Sequence, residues 1–262
     1  MIKLIVTDLD GTLLNSHHEI PADFWALEEK LRSKNIQLAI ASGRQYYNIE
    51  ALFQPIKEHI LILAENGTFV KQNDKELFVN EMNIDEARKF IEIGRKIPNS
   101  YMILCGKNAA YVDNPDKEFF DTVHQYMERL VVVPDLMQVE DTILKVTVCD
   151  FDNAERNSYP HFIPYINQYK VAVAGHFFID ITPMNSNKGE AVKRIQELYN
   201  IGYKETMVFG DMLNDLEMMQ AAQYSFAMKN AHPQIKEIAQ NITEFDNNED
   251  GVVREIQRFL NL

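Results

Sequence analysis

With 262 residues and 46% hydrophobic side chains, the chain can bury a large core, as one big domain or two smaller ones. No run approaches the ~18 to 20 consecutive apolar residues of a membrane span, and the start, Met1 to Val6, reaches Asp8 too soon for a secretory signal, so a cytoplasmic location is expected. A formal net charge of −13 repels nucleic acid and anionic membranes at long range, while screening over about 8 Å leaves small phosphorylated molecules under local control.

The first predicted element is a buried strand, Leu4-Ile5-Val6, which runs straight into Asp8-Leu9-Asp10-Gly11-Thr12-Leu13-Leu14. Phe24, Leu27 and Leu31 then fall on one face of a helix. A second apolar run, Ile36 to Ala41, ends at Ser42-Gly43-Arg44, and a third, Ile60 to Ala64, ends at Glu65-Asn66-Gly67-Thr68. Near the other end of the chain, a helix with Ala191, Val192, Ile195, Leu198 and Tyr199 on one face precedes a fourth run, Met207 to Phe209, which ends at Gly210-Asp211. Strand alternating with helix predicts an α/β fold with a doubly wound parallel sheet. Ligands of such sheets collect beyond the carboxyl ends of the strands, where Asp8, Ser42 and Asp211 are all expected.

The middle of the chain has a different rhythm. A helix carries Ala87, Phe90, Ile91 and Gly94 on one stripe, and Tyr101–Leu104 and Ala109–Val112 form a predicted hairpin around Gly106-Lys107-Asn108. A helix from about Lys117 to Leu130, a strand Ile143–Val148, a helix from about Ala154 to Gln168 and strands Val171–Ala174 and Phe177–Ile181 follow. Residues 82–182 are therefore expected to form an inserted α+β domain, leaving 1–81 and 183–262 as the core. Cys105 and Cys149 lie in apolar runs and read as small buried hydrophobes, not as a disulfide or a nucleophile. The eleven methionines read as core filler, and the adjacent His17 and His18 as a solvated loop.

Four short segments carry the chemistry. Carboxylates at the edge of an apolar core persist where a cation, hydrogen-bond donors or a pKa shift compensates them, so Asp8 and Asp10 fit a magnesium site with one acid as nucleophile and the other as acid and base. Gly11 permits the sharp turn and the Thr12 hydroxyl can fasten it; taken alone, the segment is equally a polar turn after a strand. Ser42 and Gly43 can present a hydroxyl and backbone N–H groups to phosphoryl oxygens, or simply cap a helix, with Arg44 facing substrate or solvent. Lys188, within Asn187-Lys188-Gly189-Glu190, puts an ammonium beside a positive helix end, which an anion nearby would explain, though a single lysine is ordinarily exposed. Asp211 can complete an oxygen-rich magnesium site with Asp8, and Asn214 and Asp215 can contact phosphate and orient the lysine, or cap the next helix.

In that order, DLDGTLL, ASGR, NKG and GDMLND resemble the four motifs of the haloacid dehalogenase superfamily, and the layout resembles its Cof-type phosphatases. The resemblance implies a Rossmann-like core, a large cap inserted between the second and third motifs that selects substrate, and Mg²⁺-dependent hydrolysis of small phosphorylated metabolites such as sugar phosphates through an aspartyl-phosphate. By the same resemblance Asp8 is nucleophile and metal ligand. Asp10 is acid and base with its carbonyl on the metal, and Asp211 is a further ligand. Leu9 by its backbone, Ser42, Gly43, Lys188 and Asn214 hold phosphate, while Thr12, Arg44 and Asp215 support them. Ser42 stands where many relatives have Thr, and Thr68 where the similar Asn-Gly-Ala stretch has Ala, so no catalytic role is transferred to 65–68. His176 is a minor candidate for substrate contact from the cap. A phosphomutase and a non-catalytic phosphometabolite sensor are the alternative readings, and no protein partner is evident.

Overall fold

The computed structural model describes residues 1–114, 116–124, 126–174 and 176–262. The elements run β1 (Leu4–Asp8), α1 (Phe24–Ser33), β2 (Gln37–Ala41), α2 (Tyr46–Leu52), β3 (Ile60–Ala64), β4 (Phe69–Gln72), β5 (Lys75–Val79), α3 (Ile84–Gly94), β6 (Ser100–Gly106), β7 (Ala110–Val112) and α4 (Lys117–His124). They continue with β8 (Leu130–Val132), β9 (Ile143–Asp150), α5 (Tyr159–Phe162), β10 (Tyr169–Ala174), β11 (Phe178–Pro183), α6 (Lys188–Tyr199), β12 (Thr206–Gly210), α7 (Leu216–Gln220), β13 (Tyr224–Ala227), α8 (Pro233–Ile238), β14 (Asn241–Ile242) and α9 (Gly251–Leu260). The chain divides into two compact units, Met1–Phe78 with Asn187–Leu262, and Val79–Ser186. Among the described residues no helix is long and apolar enough to cross a membrane.

The first unit is built on an eight-stranded sheet in the order β14-β13-β12-β1-β2-β3-β4-β5. Every pair from β14 across to β3 is parallel, and β3 with β4 is antiparallel. Every residue of β1, β3 and β12 is buried, which is why these strands read as unbroken apolar runs instead of alternating ones. From β1 the chain steps one way to β2 and β3 and the other way to β12 and β13. The strand order therefore reverses beside β1, and the carboxyl ends of β1 and β12 open onto the same crevice.

Phe24, Leu27 and Leu31 of α1 are buried, as are Ala191, Val192 and Ile195 of α6. Leu198 and Tyr199 depart from the expected buried stripe: Leu198 is exposed, and the Tyr199 hydroxyl donates to Gln72 Oε1 at 2.6 Å. Gly189, in the first turn of α6, lies where a Cβ would come within 2.4 Å of the Glu217 backbone, so this glycine permits α6 and α7 to approach.

The second unit is a six-stranded sheet, β10-β11-β9-β6-β7-β8. Its two faces carry separate cores, one around Phe90, Leu104, Val146, Phe162 and Ile181, the other around Ile103, Cys105, Phe119 and Cys149. The hairpin between β6 and β7 pairs Cys105 with Ala110 as the glycine-containing turn suggests. Two expected helices are corrected. The helix from Lys117 ends at His124, Gln125 lies outside the described residues, and Leu130–Val132 pairs in parallel with β7 because its apolar run fits a sheet edge. The stretch from Ala154 to Gln168 is a wide π turn, one short α turn and a 3₁₀ turn, because Pro160 and Pro164 each remove a backbone donor. The buried Asp150 holds that stretch, accepting from the Ser158 hydroxyl, Asn157 Nδ2 and the Asp152 and Asn153 N–H groups. Both cysteines are free, and burial pushes the Cys149 thiol up to about 12, so it stays protonated. The His176 ring packs edge-on against Phe177.

Replacing Gly189 with Ala forces Cβ against the Glu217 main chain, so urea unfolding should show a loss of roughly 1–3 kcal/mol. An unchanged midpoint would mean that α6 and α7 are not in rigid contact.

Candidate active site

Loops at the carboxyl ends of β1, β2, β3 and β12, together with the start of α6, supply the candidate residues from the first unit, whereas His176 lies in the second. After β1 the backbone turns on Gly11, at φ +78, where a Cβ would stand 2.3 Å from Asp211 Oδ2. A side chain there would therefore push the first and fourth segments apart. Thr12 does more than fasten its own turn: its hydroxyl donates to Asp211 Oδ1 at 2.8 Å, and Asn230 Nδ2 donates to the Gly11 carbonyl at 2.7 Å.

Lys188 joins the remaining parts. It opens α6 behind an Asn187 N-cap whose side chain accepts from the Glu190 N–H, and its ammonium is fully buried. Its Nζ donates to Asp8 Oδ1 at 2.5 Å and to Asp215 Oδ1 at 2.7 Å. The other oxygen of Asp215 accepts from the Asp211 N–H at 2.9 Å and the Met212 N–H at 3.1 Å, so this acid both anchors the lysine and shapes the fourth loop. Gly210 makes room, since a Cβ there would sit 2.6 Å from the Asp215 carboxylate.

Asp8, Asp211 and Asp215 are all buried and bring one carboxylate oxygen each within 4.8 Å of one another. Three carboxylates share one ammonium, which leaves negative charge uncompensated. Burial, together with Asp215 and Asp211, holds the Asp8 pKa well above the usual carboxylate range despite Lys188, and burial pushes Asp211 up to about 6 against its Thr12 hydrogen bond. Burial alone would lower the Lys188 pKa, but Asp215 and Asp8 outweigh it and raise the net value. The donor set consists of hard carboxylate oxygens, suited to a divalent cation such as magnesium.

The carboxylate of Asp10 stands outside this cluster. It is 43% exposed and is gripped by Arg44, with Nε donating to Oδ2 at 2.8 Å and Nη2 to Oδ1 at 2.5 Å. Arg44 thus faces neither solvent nor an empty pocket. His18, expected in a solvated loop, places Nδ1 3.3 Å from Asp10 Oδ1. Leu9 is buried, and its carbonyl accepts from the Thr12 and Leu14 N–H groups, closing the turn.

On the β2 side, the buried Ser42 hydroxyl accepts from the Arg44 N–H at 3.2 Å, and its carbonyl accepts from the Asn66 N–H at 2.9 Å. Asn66 and Gly67 both have positive φ, as an Asn-Gly turn favours. Yet Asn66 has a second part: its Oδ1 accepts from Asn214 Nδ2 at 3.0 Å, and its side-chain amide lies 3.2 Å from where a Gly43 Cβ would be. Asn66 thus ties the second segment to the fourth. The signal available in sequence was its place just past a buried strand; the partner could not be read there.

Comparison with known proteins places the chain in a family. The sequence profile of haloacid dehalogenase-like hydrolases matches residues 5–256. The 5-amino-6-(5-phospho-D-ribitylamino)uracil phosphatase YbjI of Escherichia coli K12 is 31% identical over 262 residues, covering 99% of this chain and 96% of that protein. A crystal structure from Eubacterium rectale superposes with a TM-score of 0.91 at 27% identity, covering 98% of this chain and 99% of that one. The TM0651 protein of Thermotoga maritima gives 0.88 at 27% identity, with 98% and 97% covered. From its motifs, its fold and these relatives, the chain belongs to the haloacid dehalogenase-like hydrolase family, on its phosphatase branch.

Proposed function

We propose that this enzyme hydrolyses small phosphorylated metabolites, phosphorylated sugars or polyols, in two displacements through an aspartyl-phosphate on Asp8. The observation that carries the reading is the buried Lys188 ammonium set between Asp8 and Asp215, with Asp211 alongside. A lysine held there keeps its charge and can stabilise the equatorial oxygens of a transferring phosphoryl group. A carboxylate fixed beside it needs no rotamer search before attack.

In the first displacement an Asp8 oxygen bonds to phosphorus as the bond to the leaving oxygen breaks, and Asp10 delivers a proton to the departing alcohol. In the second, Asp10 takes a proton from water, the water oxygen bonds to phosphorus, and the bond from phosphorus to the Asp8 oxygen of the acyl phosphate breaks, returning the Asp8 carboxylate and releasing inorganic phosphate. The Ser42 hydroxyl, backbone N–H groups at Leu9 and Gly43, and Asn214, steadied by Asn66, are assigned to holding the phosphoryl oxygens. Asp8, Asp211 and the Asp10 carbonyl are assigned to Mg²⁺. When bound, that ion supplies neutralising charge for the acids and the phosphate. The unit Val79–Ser186 is assigned to choosing the leaving group. The substrate class draws support from the E. coli relative, whose named substrate carries its phosphate on a ribityl chain.

Asp8→Asn should retain the wild-type circular dichroism spectrum while phosphate release from p-nitrophenyl phosphate falls by ~10⁴-fold or more, given accelerations of up to ~10²¹ for this class of reaction. Turnover at the wild-type rate by that variant would overturn the covalent route, and wild-type activity that survives chelation would overturn the magnesium assignment.

The raised Asp211 pKa sets a second test. The folded chain holds this proton more tightly than the unfolded chain, so its contribution to stability is intact below about pH 4 and weakens as pH rises towards 6. Above that, the charged, buried acid costs on the order of 2–3 kcal/mol, at about 1.4 kcal/mol per pKa unit. In chelator-treated protein at pH 8, Asp211→Asn should therefore unfold at a higher urea concentration than wild type, and the gap should close near pH 4. Added Mg²⁺ should raise the wild-type midpoint at pH 8 and barely move that of the variant. Equal midpoints with and without Mg²⁺ would remove Asp211 from the cation site.

A further inference from the structure

The acid and base assigned to the reaction is the least enclosed of the four carboxylates, and its position is set by two residues that take no part in the steps above. Asp10 has 43% of its side chain exposed, whereas Asp8, Asp211 and Asp215 are buried. A half-exposed aspartate samples several rotamers unless something holds it. Arg44 does so with a two-pronged grip, Nε to Oδ2 at 2.8 Å and Nη2 to Oδ1 at 2.5 Å, which fixes the plane of the carboxyl group as well as its distance. Arg44 is itself held at the main chain: its N–H donates to the Ser42 hydroxyl and its carbonyl accepts from the Glu65 N–H at 3.0 Å. The segment assigned to phosphate therefore also carries the residue that aims the acid.

His18 closes the group from a third side, with Nδ1 3.3 Å from Asp10 Oδ1 and 3.4 Å from Arg44 Nη2. The loop that presents it is built to do so. His18 has φ +60, a conformation that non-glycine residues adopt sparingly. The backbone is kept there by Asn15, whose carbonyl accepts from the His18 N–H and whose side-chain oxygen accepts from the His17 and Glu19 N–H groups. The loop is further pinned by Asn248 Oδ1 on the Ser16 N–H and by Asn247 Nδ2 on the Leu14 carbonyl. These bonds fix the backbone at His18, so the side chain leaves the loop towards Asp10 although 70% of it remains exposed.

We propose that Arg44 and His18 are positioning residues for Asp10, clamping its carboxyl group in the orientation that passes a proton to the leaving-group oxygen. The inference rests on the acid and base role given to Asp10 above. A carboxyl group offers about four lone-pair sites, so the clamp can occupy one edge and leave the other for the proton. Arg44 and His18 touch neither phosphorus nor the leaving group in this scheme and act through Asp10 alone.

The test uses two esters of the same shape and different need for a proton. p-Nitrophenolate leaves readily as an anion, while phenolate is more basic and gains more from protonation. In steady-state kinetics, Arg44→Lys, which keeps the charge and loses the fork, should lower kcat for phenyl phosphate about tenfold more than for p-nitrophenyl phosphate, within the ~10²–10⁴-fold that an acid contributes. His18→Ala should move the same ratio less, and His18→Asn, which tolerates the backbone angle and can still hydrogen-bond, should recover part of it. In an Asp10→Asn background, Arg44→Lys should no longer change the ratio. Circular dichroism and unfolding midpoints accompany each variant, and the exposed His18 pair carries the test if the Arg44 variant does not fold. Equal losses on both esters, effects confined to KM, or an undiminished Arg44 effect without Asp10 would overturn the clamp. A wild-type protein that releases phosphate from neither ester would overturn the phosphatase reading and the clamp with it, a result distinct from all of these.

Discussion

A lysine with no exposed surface, wedged between two buried aspartates, is the contact on which this site depends. Taking an ammonium out of water costs several kcal/mol, and only close, well-aimed carboxylates return it. Asp8 and Asp215 do so, and in exchange the lysine partly neutralises a group that would otherwise consist of negative charges alone. The arrangement also fixes geometry. Lys188 begins α6, Asp8 ends β1 and Asp215 precedes α7, so one ammonium sets the spacing of three elements around the crevice beside β1. The three buried carboxylates form an oxygen-rich group compatible with a hard divalent cation.

Around that contact the loops are tied to each other. Thr12 reaches from the first segment to Asp211 of the fourth, Asn66 from the loop after β3 to Asn214 of the fourth, and Arg44 from the second to Asp10 of the first. Small residues permit the approach: at Gly11, Gly43 and Gly210 a Cβ would fall on, or press against, the side chain of Asp211, Asn66 or Asp215. A change at one of these glycines would be felt at an acid carried by another segment, because nothing softer lies between them. The site behaves as one packed body and not as four independent motifs.

The two acids of the first segment are separated in environment by this packing. Asp8 is enclosed and its pKa is raised by burial, while Asp10, two residues on, is half exposed and bound to a guanidinium. Neighbours in sequence thus become different chemical groups, which suits the division of labour proposed for them between nucleophile and proton carrier. The turn on Gly11 sends the chain back to close the crevice, and Asn230 holds that turn at its carbonyl.

Much of the framework could be read from the chain alone. Strands β1, β2, β3 and β12 were legible because strands buried on both faces must be continuous apolar runs, and the acids and serine that follow them stand out against that background. The order of the four segments already resembles that of the family to which the chain belongs. The α5 region was misread because apolar spacing cannot register how Pro160 and Pro164 interrupt a helix, and the β8 edge because a short apolar run fits a helix and a strand equally well. What only the tertiary structure decided is which group each polar side chain meets. Arg44 could have faced solvent and Thr12 its own turn; each instead finds a partner on another segment at hydrogen-bond distance, while His18 stays 70% exposed beside Asp10 of its own loop. Periodicity in sequence records which face of an element is buried. A hydrogen bond depends on placing two atoms within a few tenths of an ångström, and that is settled by packing among segments far apart in the chain.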